Sequence, residues 1–125
     1  MTYDPTNIFA RIIRKEIPCN EIYRDNKVLA FYDRAPAARV HALVIPIGEY
    51  VSFDDFVTQA PAEDIVYFFN KVQAIAHQLG MVSGGYRLIS NHGKHASQIV
   101  PHFHMHLLGG EMLGGLVGST AHSAA

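Results

Sequence analysis

Five short runs of the chain are rich in apolar, β-branched and aromatic residues and are bounded by turn residues, which predicts five β-strands. The predicted strands cover residues 21–23, 28–32, 40–45, 86–90 and 103–108. Asp25-Asn26 predicts a tight turn between the first two strands, and Pro46 is expected to end the third. The polar stretch 91–100 predicts a loop between the last two strands.

The clearest helical pattern lies between Pro61 and Gly80. Apolar residues recur there at the spacing of an α-helix, at Ile65, Phe68, Phe69, Val72, Ile75, Ala76 and Leu79. Pro61 suits the first helical turn, and Gly80 suits the C-terminal cap. Glu63 and Asp64 complement the positive end of the helix dipole. The wide apolar face predicts a helix that packs on the core.

A second, shorter helix is predicted near the N-terminus. Its apolar residues fall on one face, at Ile8, Phe9, Ile12 and Ile13. Thr6 is a residue type that caps helix N-termini, and Ile17-Pro18 is expected to end the segment. Thr6 is therefore the predicted N-cap.

This order of elements predicts the fold class. Strands, one long helix and further strands indicate an α+β domain with a mainly antiparallel five-stranded sheet and one long and one short helix. We expect a single domain over residues 1–110. Residues 111–125 are rich in Gly, Ser and Ala and are expected to form a flexible tail.

Composition excludes several classes of function. The chain has 125 residues, of which 49% are hydrophobic and 17% charged, and this balance suits a compact core. The net charge of -1 argues against binding of long nucleic acids. Cys19 is the one cysteine, so neither an internal disulfide nor a cysteine zinc site is expected. Without a signal-like segment or an apolar run of roughly 20 residues, a cytoplasmic protein with no membrane contact is expected.

Histidine is the unusual component of the sequence. There are 8 histidines, and three alternate with apolar residues in His102-Phe103-His104-Met105-His106. Side chains alternate between the faces of a strand, so the three imidazoles are predicted to lie about 6–7 Å apart on one face. Phe103, Met105 and Leu107 are then predicted to pack on the opposite face against the long helix.

Such a row of imidazoles is compatible with two kinds of site. Histidine can act as nucleophile, acid and hydrogen-bond donor on a phosphate at neutral pH. A His-x-His pair on a strand can equally present two ligands to zinc or iron. Three buried structural histidines in alternation are a less economical interpretation, although a lone buried histidine is usually structural.

The residues around the motif favour a phosphate over a metal. The preceding loop, residues 91–98, is small and polar, and it offers backbone N–H groups and the Ser97 and Gln98 side chains to an anion. No Asp, Glu or Cys is close to the motif in sequence, and Glu111 is the nearest. We therefore predict no metal site. His41 is added to the candidate site because it interrupts an otherwise apolar strand.

These residues resemble a known family. The segment 102–108 resembles the His-φ-His-φ-His-φ-φ signature of the histidine-triad (HIT) superfamily, where φ is apolar. Four further blocks resemble its Hint branch, the histidine triad nucleotide-binding proteins: residues 8–18, 29–33, 40–46 and 85–91.

The resemblance implies a role for each residue of the motif. His104 would be the nucleophile that takes the nucleoside monophosphate as a covalent intermediate. His106 would donate to the phosphate oxygens, and His102 would help to hold the nucleophile in its working tautomer. His41 would complete the cluster near the leaving group, and Asp33 would bind the ribose hydroxyls.

The resemblance also implies a nucleotide pocket and an assembly. Asn91 would contact the sugar and phosphate, and the base would lie between apolar walls at Ile8, Phe9, Ile12, Phe31 and Leu43. Family members often carry Ser or Thr at the position of Ile99, so Ser97 and Gln98 become the polar candidates beside the leaving group. The implied assembly is a homodimer that pairs across a two-fold axis. The chain lacks the C-terminal Trp and the N-terminal cysteines of some relatives.

The leading functional hypothesis is hydrolysis of purine nucleoside phosphoramidates (AMP or GMP derivatives) without a cofactor. The same residues are compatible with two alternatives. These are cleavage of dinucleoside polyphosphates and a nucleotide-binding regulatory role with incidental activity. A metalloenzyme built on the triad is the last alternative, and dependence on metal would identify it.

Overall fold

The computed structural model describes residues 2–116 and contains one antiparallel sheet of five strands. The strands are β1 Glu21–Arg24, β2 Val28–Tyr32, β3 Val40–Pro46, β4 Tyr86–Ile89 and β5 Met105–Gly109. The helices are α1 Ile8–Ile13, α2 Phe53–Gln59, α3 Ala62–Gln78 and a short 3-10 helix at Lys94–Ala96. The strand order across the sheet is β1-β2-β3-β5-β4. The predicted α+β class is therefore confirmed.

The turn between β1 and β2 is held by the side chain of Asp25. One carboxylate oxygen accepts hydrogen bonds from the backbone N–H groups of Lys27 and Val28, each at 2.7 Å. The other accepts from the hydroxyls of Tyr23 on β1 and Tyr67 on α3. These bonds keep the pKa of Asp25 low, at about 2, although partial burial opposes the shift. The predicted turn residue thus also ties the hairpin to α3.

One face of the sheet packs against α2 and α3. The core there is dominated by aromatic rings, and Phe56 of α2 stacks on Phe103 at a centroid distance of 4.7 Å and an interplanar angle of 14°. Phe68 of α3 contacts both rings. Met105 and Leu107 of β5 belong to the same core. These residues therefore pack on the side of the sheet that carries the long helix, as predicted.

The opposite face of the sheet carries α1. A smaller apolar cluster joins this helix to β2 and β3, and it comprises Phe9, Ile12, Leu29, Phe31, Leu43 and Ile45. The imidazoles of His102 and His104 both contact Phe9. This face therefore holds the histidine cluster.

The long helix agrees with its prediction. α3 covers Ala62–Gln78, with Pro61 at the N-cap position and acidic residues in the first turn. Gly80 follows the helix with a φ of 71°, a left-handed conformation that glycine adopts without steric cost. Phe68, Val72, Ile75 and Ala76 form its buried face.

The predicted cap of α1 is wrong by one residue. The side chain of Asn7, not Thr6, accepts a hydrogen bond from the N–H of Ala10 at 2.9 Å. The hydroxyl of Thr6 instead donates to Asp4 at 2.6 Å. Both residue types cap helices, and the sequence pattern did not distinguish these neighbouring positions.

The apolar pattern of the sequence did not predict α2. This helix has seven residues and follows Ser52, with Asp54 and Asp55 in its first turn. These are helix-start signals, but two turns are too short for an apolar period to be read. The loop predicted over 91–100 likewise contains the 3-10 helix.

β5 begins two residues later than predicted. Pairing with β3 starts at Met105, opposite Val44, and pairing with β4 starts at His106, opposite Ile89, so His102 and His104 precede the strand. The N–H of Phe103 is bonded instead to the carbonyl of Tyr50 at 2.7 Å. The three histidines therefore do not share one regular strand.

The predicted tail is only partly within the described residues. In its first part, the Glu111 carboxylate accepts from the N–H of Arg39 at 2.6 Å, and the Gly114 carbonyl accepts from the guanidinium of Arg87 at 3.1 Å. Residues 117–125 lie outside the described residues, and the predicted domain boundary at residue 110 stays a prediction. Within residues 2–116, no helix is both long and apolar enough to cross a membrane.

Candidate active site

His104 is held in one tautomer by the backbone. Its Nδ1 lies 2.7 Å from the carbonyl oxygen of His102. A carbonyl can only accept a hydrogen bond, so Nδ1 of His104 carries the proton and donates it. In a neutral imidazole the other nitrogen, Nε2, then keeps a free lone pair. His104 is thus oriented as a nucleophile or base through Nε2.

The imidazole of His102 is fully buried and is bonded at both nitrogens. Nε2 donates to the carbonyl of Pro46 on β3 at 2.8 Å, and Nδ1 lies 2.6 Å from the hydroxyl of Tyr3. The main-chain carbonyl of His102 therefore fixes the tautomer of His104. The side chain of His102 anchors His102 to the sheet.

His41 and His106 form a directional hydrogen-bonded pair. The backbone N–H of Ala37 donates to Nδ1 of His41 at 3.0 Å, so the proton of a neutral His41 resides on Nε2. That Nε2 lies 2.9 Å from Nδ1 of His106 and donates to it. The remaining proton of His106 is therefore on Nε2. His106 can present this N–H as a donor to a bound anion.

Asp33 joins this pair, although no carboxylate lies close to the motif in sequence. One carboxylate oxygen of Asp33 is 3.5 Å from Nε2 of His41. The cause is the pairing of β2 with β3, which places Asp33, just after β2, beside His41, with a backbone hydrogen bond of 2.9 Å between them. Sequence distance to the triad was therefore a poor guide to which acid is near it.

Asp33, His41 and His106 have the donor atoms of a transition-metal site. One ligand atom from each lies within 4.8 Å of the others, and two imidazoles with a carboxylate are a known donor set. However, a metal on Nε2 of His41 would require its proton on Nδ1, where it would face the N–H of Ala37. The N–H of Ala37 therefore favours a hydrogen bond between His41 and His106 over a metal ion bound to both.

Burial keeps the four imidazoles neutral near pH 7. It lowers the pKa of His102 to about 4, and burial together with the neighbouring His104 and His41 lowers the pKa of His106 to about 4. Burial also lowers the pKa of His104 and of His41, and the charge of Asp33 partly opposes both shifts. The lone pair of His104 is therefore available at neutral pH, as nucleophilic attack requires.

A pocket of about 600 Å³ opens beside the cluster. It shares Phe9 with the surroundings of His104, since the two rings meet edge to face at 4.9 Å. Its apolar lining includes Ile8, Phe9, Ile12, Phe31, Leu43 and Val100, and its polar side includes Asn20, Asp33 and Arg34. The volume suits a small organic ligand. The predicted base-binding residues thus line one cavity, and Ile12 and Leu43 also pack in the core beneath it.

The residues predicted to contact the sugar and phosphate have varied surroundings. Asn91 is half-buried two residues after the end of β4, and Ser97 is exposed in a left-handed conformation with a φ of 58°. The amide of Gln98 accepts from the N–H of Gly93 and donates to two backbone carbonyls, so it braces the loop. Ile99 is 88% exposed.

Several groups at the site were not found from the sequence. The N–H of Ala37 and the carbonyls of Pro46 and His102 set the imidazole tautomers, and such backbone groups leave no signature in a sequence. Tyr3 carried no signal either, because it precedes the first predicted helix by several residues.

Comparisons with known proteins identify the family of this chain. Residues 14–113 match the family model of the HIT domain. An HIT-like protein of Rickettsia prowazekii is 45% identical over 115 residues, which are 92% of this chain and 96% of that protein. The purine nucleoside phosphoramidase of Escherichia coli strain K12 is 42% identical over 107 residues, 86% of this chain and 89% of that enzyme.

A solved structure gives the same result. A HIT family hydrolase from Legionella pneumophila Philadelphia 1 has a TM-score of 0.82 and 32% identity, covering 87% of this chain and 96% of that chain. The family resemblance inferred from residues 102–108 is thus confirmed, and the relatives support a nucleotide hydrolase. The chain belongs to the HIT family.

Proposed function

We propose that this protein hydrolyses purine nucleoside phosphoramidates and releases a nucleoside monophosphate, AMP or GMP, and an amine. The observation that carries the proposal is the orientation of His104, whose Nε2 keeps its lone pair because Nδ1 donates to the carbonyl of His102. The phosphoramidase from Escherichia coli, at 42% identity, supports the substrate class.

The proposed reaction has two steps. In the first, Nε2 of His104 attacks the α-phosphorus and forms a P–N bond, while the P–N bond of the substrate breaks. The leaving nitrogen takes that electron pair and a proton from solvent, and departs as the amine. In the second, water attacks phosphorus and loses a proton to solvent while the bond between phosphorus and Nε2 of His104 breaks, which returns the electron pair to Nε2. One difficult displacement is thereby divided into two easier ones.

The His41–His106 pair serves the phosphate in this proposal. The N–H on Nε2 of His106 donates to a phosphoryl oxygen as charge builds there, and His41 maintains that proton position through its own hydrogen bond. Because the donor is held before substrate binds, little reorganisation is needed during the reaction.

The pocket beside the cluster would hold the nucleoside. The apolar walls around Phe9 and Phe31 suit the faces of a purine, and the carboxylate of Asp33 suits the ribose hydroxyls. Asn91 and Ser97 stay proposed contacts to the sugar and phosphate. Gln98 is proposed to act by shaping the loop, and Ile99 by covering the leaving group.

The test is mass spectrometry of protein quenched during turnover of adenosine 5′-phosphoramidate. We expect an adduct of AMP mass on His104 in the wild type and none in His104→Ala. His77→Ala, which removes an exposed histidine of α3, is the matched control and should form the adduct normally. Because rapid hydrolysis can hide the intermediate, the measurement is repeated in His106→Asn.

Two further assays separate the alternatives. Turnover of diadenosine polyphosphate in preference to the phosphoramidate would replace the proposed substrate class. Loss of activity on chelation, with recovery on addition of a metal ion, would indicate a metalloenzyme. Nucleotide binding without adduct or turnover in any variant would leave a binding protein.

A further inference from the structure

We propose that Tyr3 is a positioning residue of the active site: its hydroxyl holds the ring of His102, and through it the carbonyl that orients His104. The catalytic consequence rests on the proposed function. The hydrogen bond itself is independent of it and can be measured separately.

The direction of the hydrogen bond follows from its partners. Nε2 of His102 faces the carbonyl of Pro46 at 2.8 Å and must donate. Both ring nitrogens of this fully buried imidazole face neutral partners, which favours the neutral ring, so its Nδ1 carries a lone pair. The hydroxyl of Tyr3, 2.6 Å away, therefore donates to Nδ1. The two rings also meet edge to face, at a centroid distance of 5.6 Å.

The hydrogen bond between Tyr3 and His102 is linked to His104 through His102 itself. The ring of His102 is held by Tyr3 on one side and by Pro46 on the other, and its backbone N–H donates to the carbonyl of Val100 at 2.9 Å. Its own carbonyl accepts from Nδ1 of His104. His102 lies before the regular part of β5, so its side chain replaces strand pairing in fixing that carbonyl.

The N-terminal segment is itself anchored, so that Tyr3 can act as a fixed donor. The amide of Asn7 donates to the carbonyl of Asp4 at 2.8 Å, and Thr6 bonds the Asp4 carboxylate through its N–H and hydroxyl. Arg14 reaches back to the carbonyl of Pro5 at 2.9 Å. The segment is thus tied to α1 at several points.

The first experiment compares the wild type with Tyr3→Phe. Removing the hydroxyl leaves Nδ1 of His102 buried without a donor and loosens the carbonyl that orients His104. We expect kcat for adenosine 5′-phosphoramidate to fall about tenfold, because even small misplacement of a reacting group is costly. KM should stay close to the wild-type value, since Tyr3 does not line the nucleotide pocket.

Thr6→Ala is the matched control. It removes a side-chain hydrogen bond from the same segment without touching His102, and kcat should stay within about twofold of the wild type. An equal loss of kcat in both variants would assign the effect to general loosening of the segment and overturn the proposal.

The second experiment uses nitrogen NMR of the histidine rings and needs no substrate. In the wild type His102 should be the Nε2–H tautomer with a hydrogen-bonded Nδ1, and in Tyr3→Phe the Nδ1 resonance should move toward that of a free imidazole nitrogen. An Nδ1–H tautomer in the wild type would overturn the proposal even if Tyr3→Phe failed to fold.

The two measurements distinguish failure of the positioning role from failure of the proposed function. A wild type that shows the predicted tautomer but does not turn over the phosphoramidate contradicts the function alone. A His102 resonance that responds to Tyr3→Phe while kcat is unchanged contradicts the positioning role.

Discussion

At the scale of single residues, backbone groups decide which nitrogen of each imidazole carries the proton. The carbonyl of His102 selects the Nδ1–H form of His104, and the N–H of Ala37 selects the Nε2–H form of His41. Four similar side chains thereby acquire different chemistry. The residue type does not decide the tautomer, because a neutral histidine side chain can carry its proton on either nitrogen.

The pH dependence of the reaction tests the burial of His104. Burial lowers the pKa of His104 below its usual 6.5, so the nucleophile stays unprotonated in mildly acidic solution. We therefore expect kcat/KM to hold its neutral value as pH falls through 6.5 and to decline only at lower pH. The measurement is a rate profile for the phosphoramidate, corrected for its uncatalysed hydrolysis.

Asp33→Asn gives this profile an internal control. The negative charge of Asp33 raises the pKa of His104 and opposes the effect of burial. Removing that charge should move the acid limb to still lower pH, whatever happens to the absolute rate. An acid limb centred at 6.5 or above in the wild type would contradict the assignment of His104 as a buried neutral nucleophile.

At the scale of elements, the short helix α2, which the sequence did not predict, contributes one fully buried aromatic ring, Phe56, to the core. Phe56 of α2 is buried among Phe68 of α3 and Phe103 beside the triad. Phe103 separates His102 from His104, so this aromatic cluster supports the histidine segment from behind. A helix of seven residues thus contributes directly to placing the site.

Replacement of Phe56 by Ala tests this contribution. Phe56 is 1% exposed, and a buried Phe→Ala change removes about 3–5 kcal/mol through lost burial and the cavity left behind. Urea denaturation should show a loss of this size. Phe53→Ala, on the same helix but at a position 41% exposed, should cost less than half as much. Equal losses of unfolding free energy in the two variants would contradict a specific contribution of the buried ring of Phe56.

The strand predictions were accurate where the pattern is regular and less so where a strand meets the site. β2 has its predicted bounds, and β1, β3 and β4 differ from theirs by one residue. The start of β5 was misplaced because His102 and His104 keep the alternation of a strand while their backbone bonds go elsewhere. Alternation reports where side chains point and not what the backbone pairs with.

At the scale of the whole molecule, the two edges of the sheet differ. β1 carries Glu21 and Arg24, which pair at 2.9 Å, and charges discourage further strand pairing. β4, at the other edge, carries exposed Tyr86 and Leu88 on one face. The homodimer expected from the family resemblance is therefore proposed to form through β4.

Light scattering on a sizing column tests this assembly. We expect twice the chain mass of 13.8 kDa for the wild type and a shift toward the monomer in Leu88→Glu, because a charge on that edge would be desolvated at the interface. Val57→Glu on α2 introduces the same charge at a site of similar exposure, 44% against 43% for Leu88, and should stay dimeric. A wild type that remains monomeric at all concentrations contradicts the proposal.

The sequence by itself determined the α+β class, the long helix, the opposite orientation of Phe103 and the histidines, and the family, because each depends on spacing along the chain. The tertiary structure decided the tautomers of the imidazoles, the approach of Asp33 to His41, and the bond from Tyr3 to His102. These contacts join segments up to 99 residues apart, or involve backbone groups that every residue carries. Periodicity reports which way a side chain faces, and only the packed sheet decides what it meets.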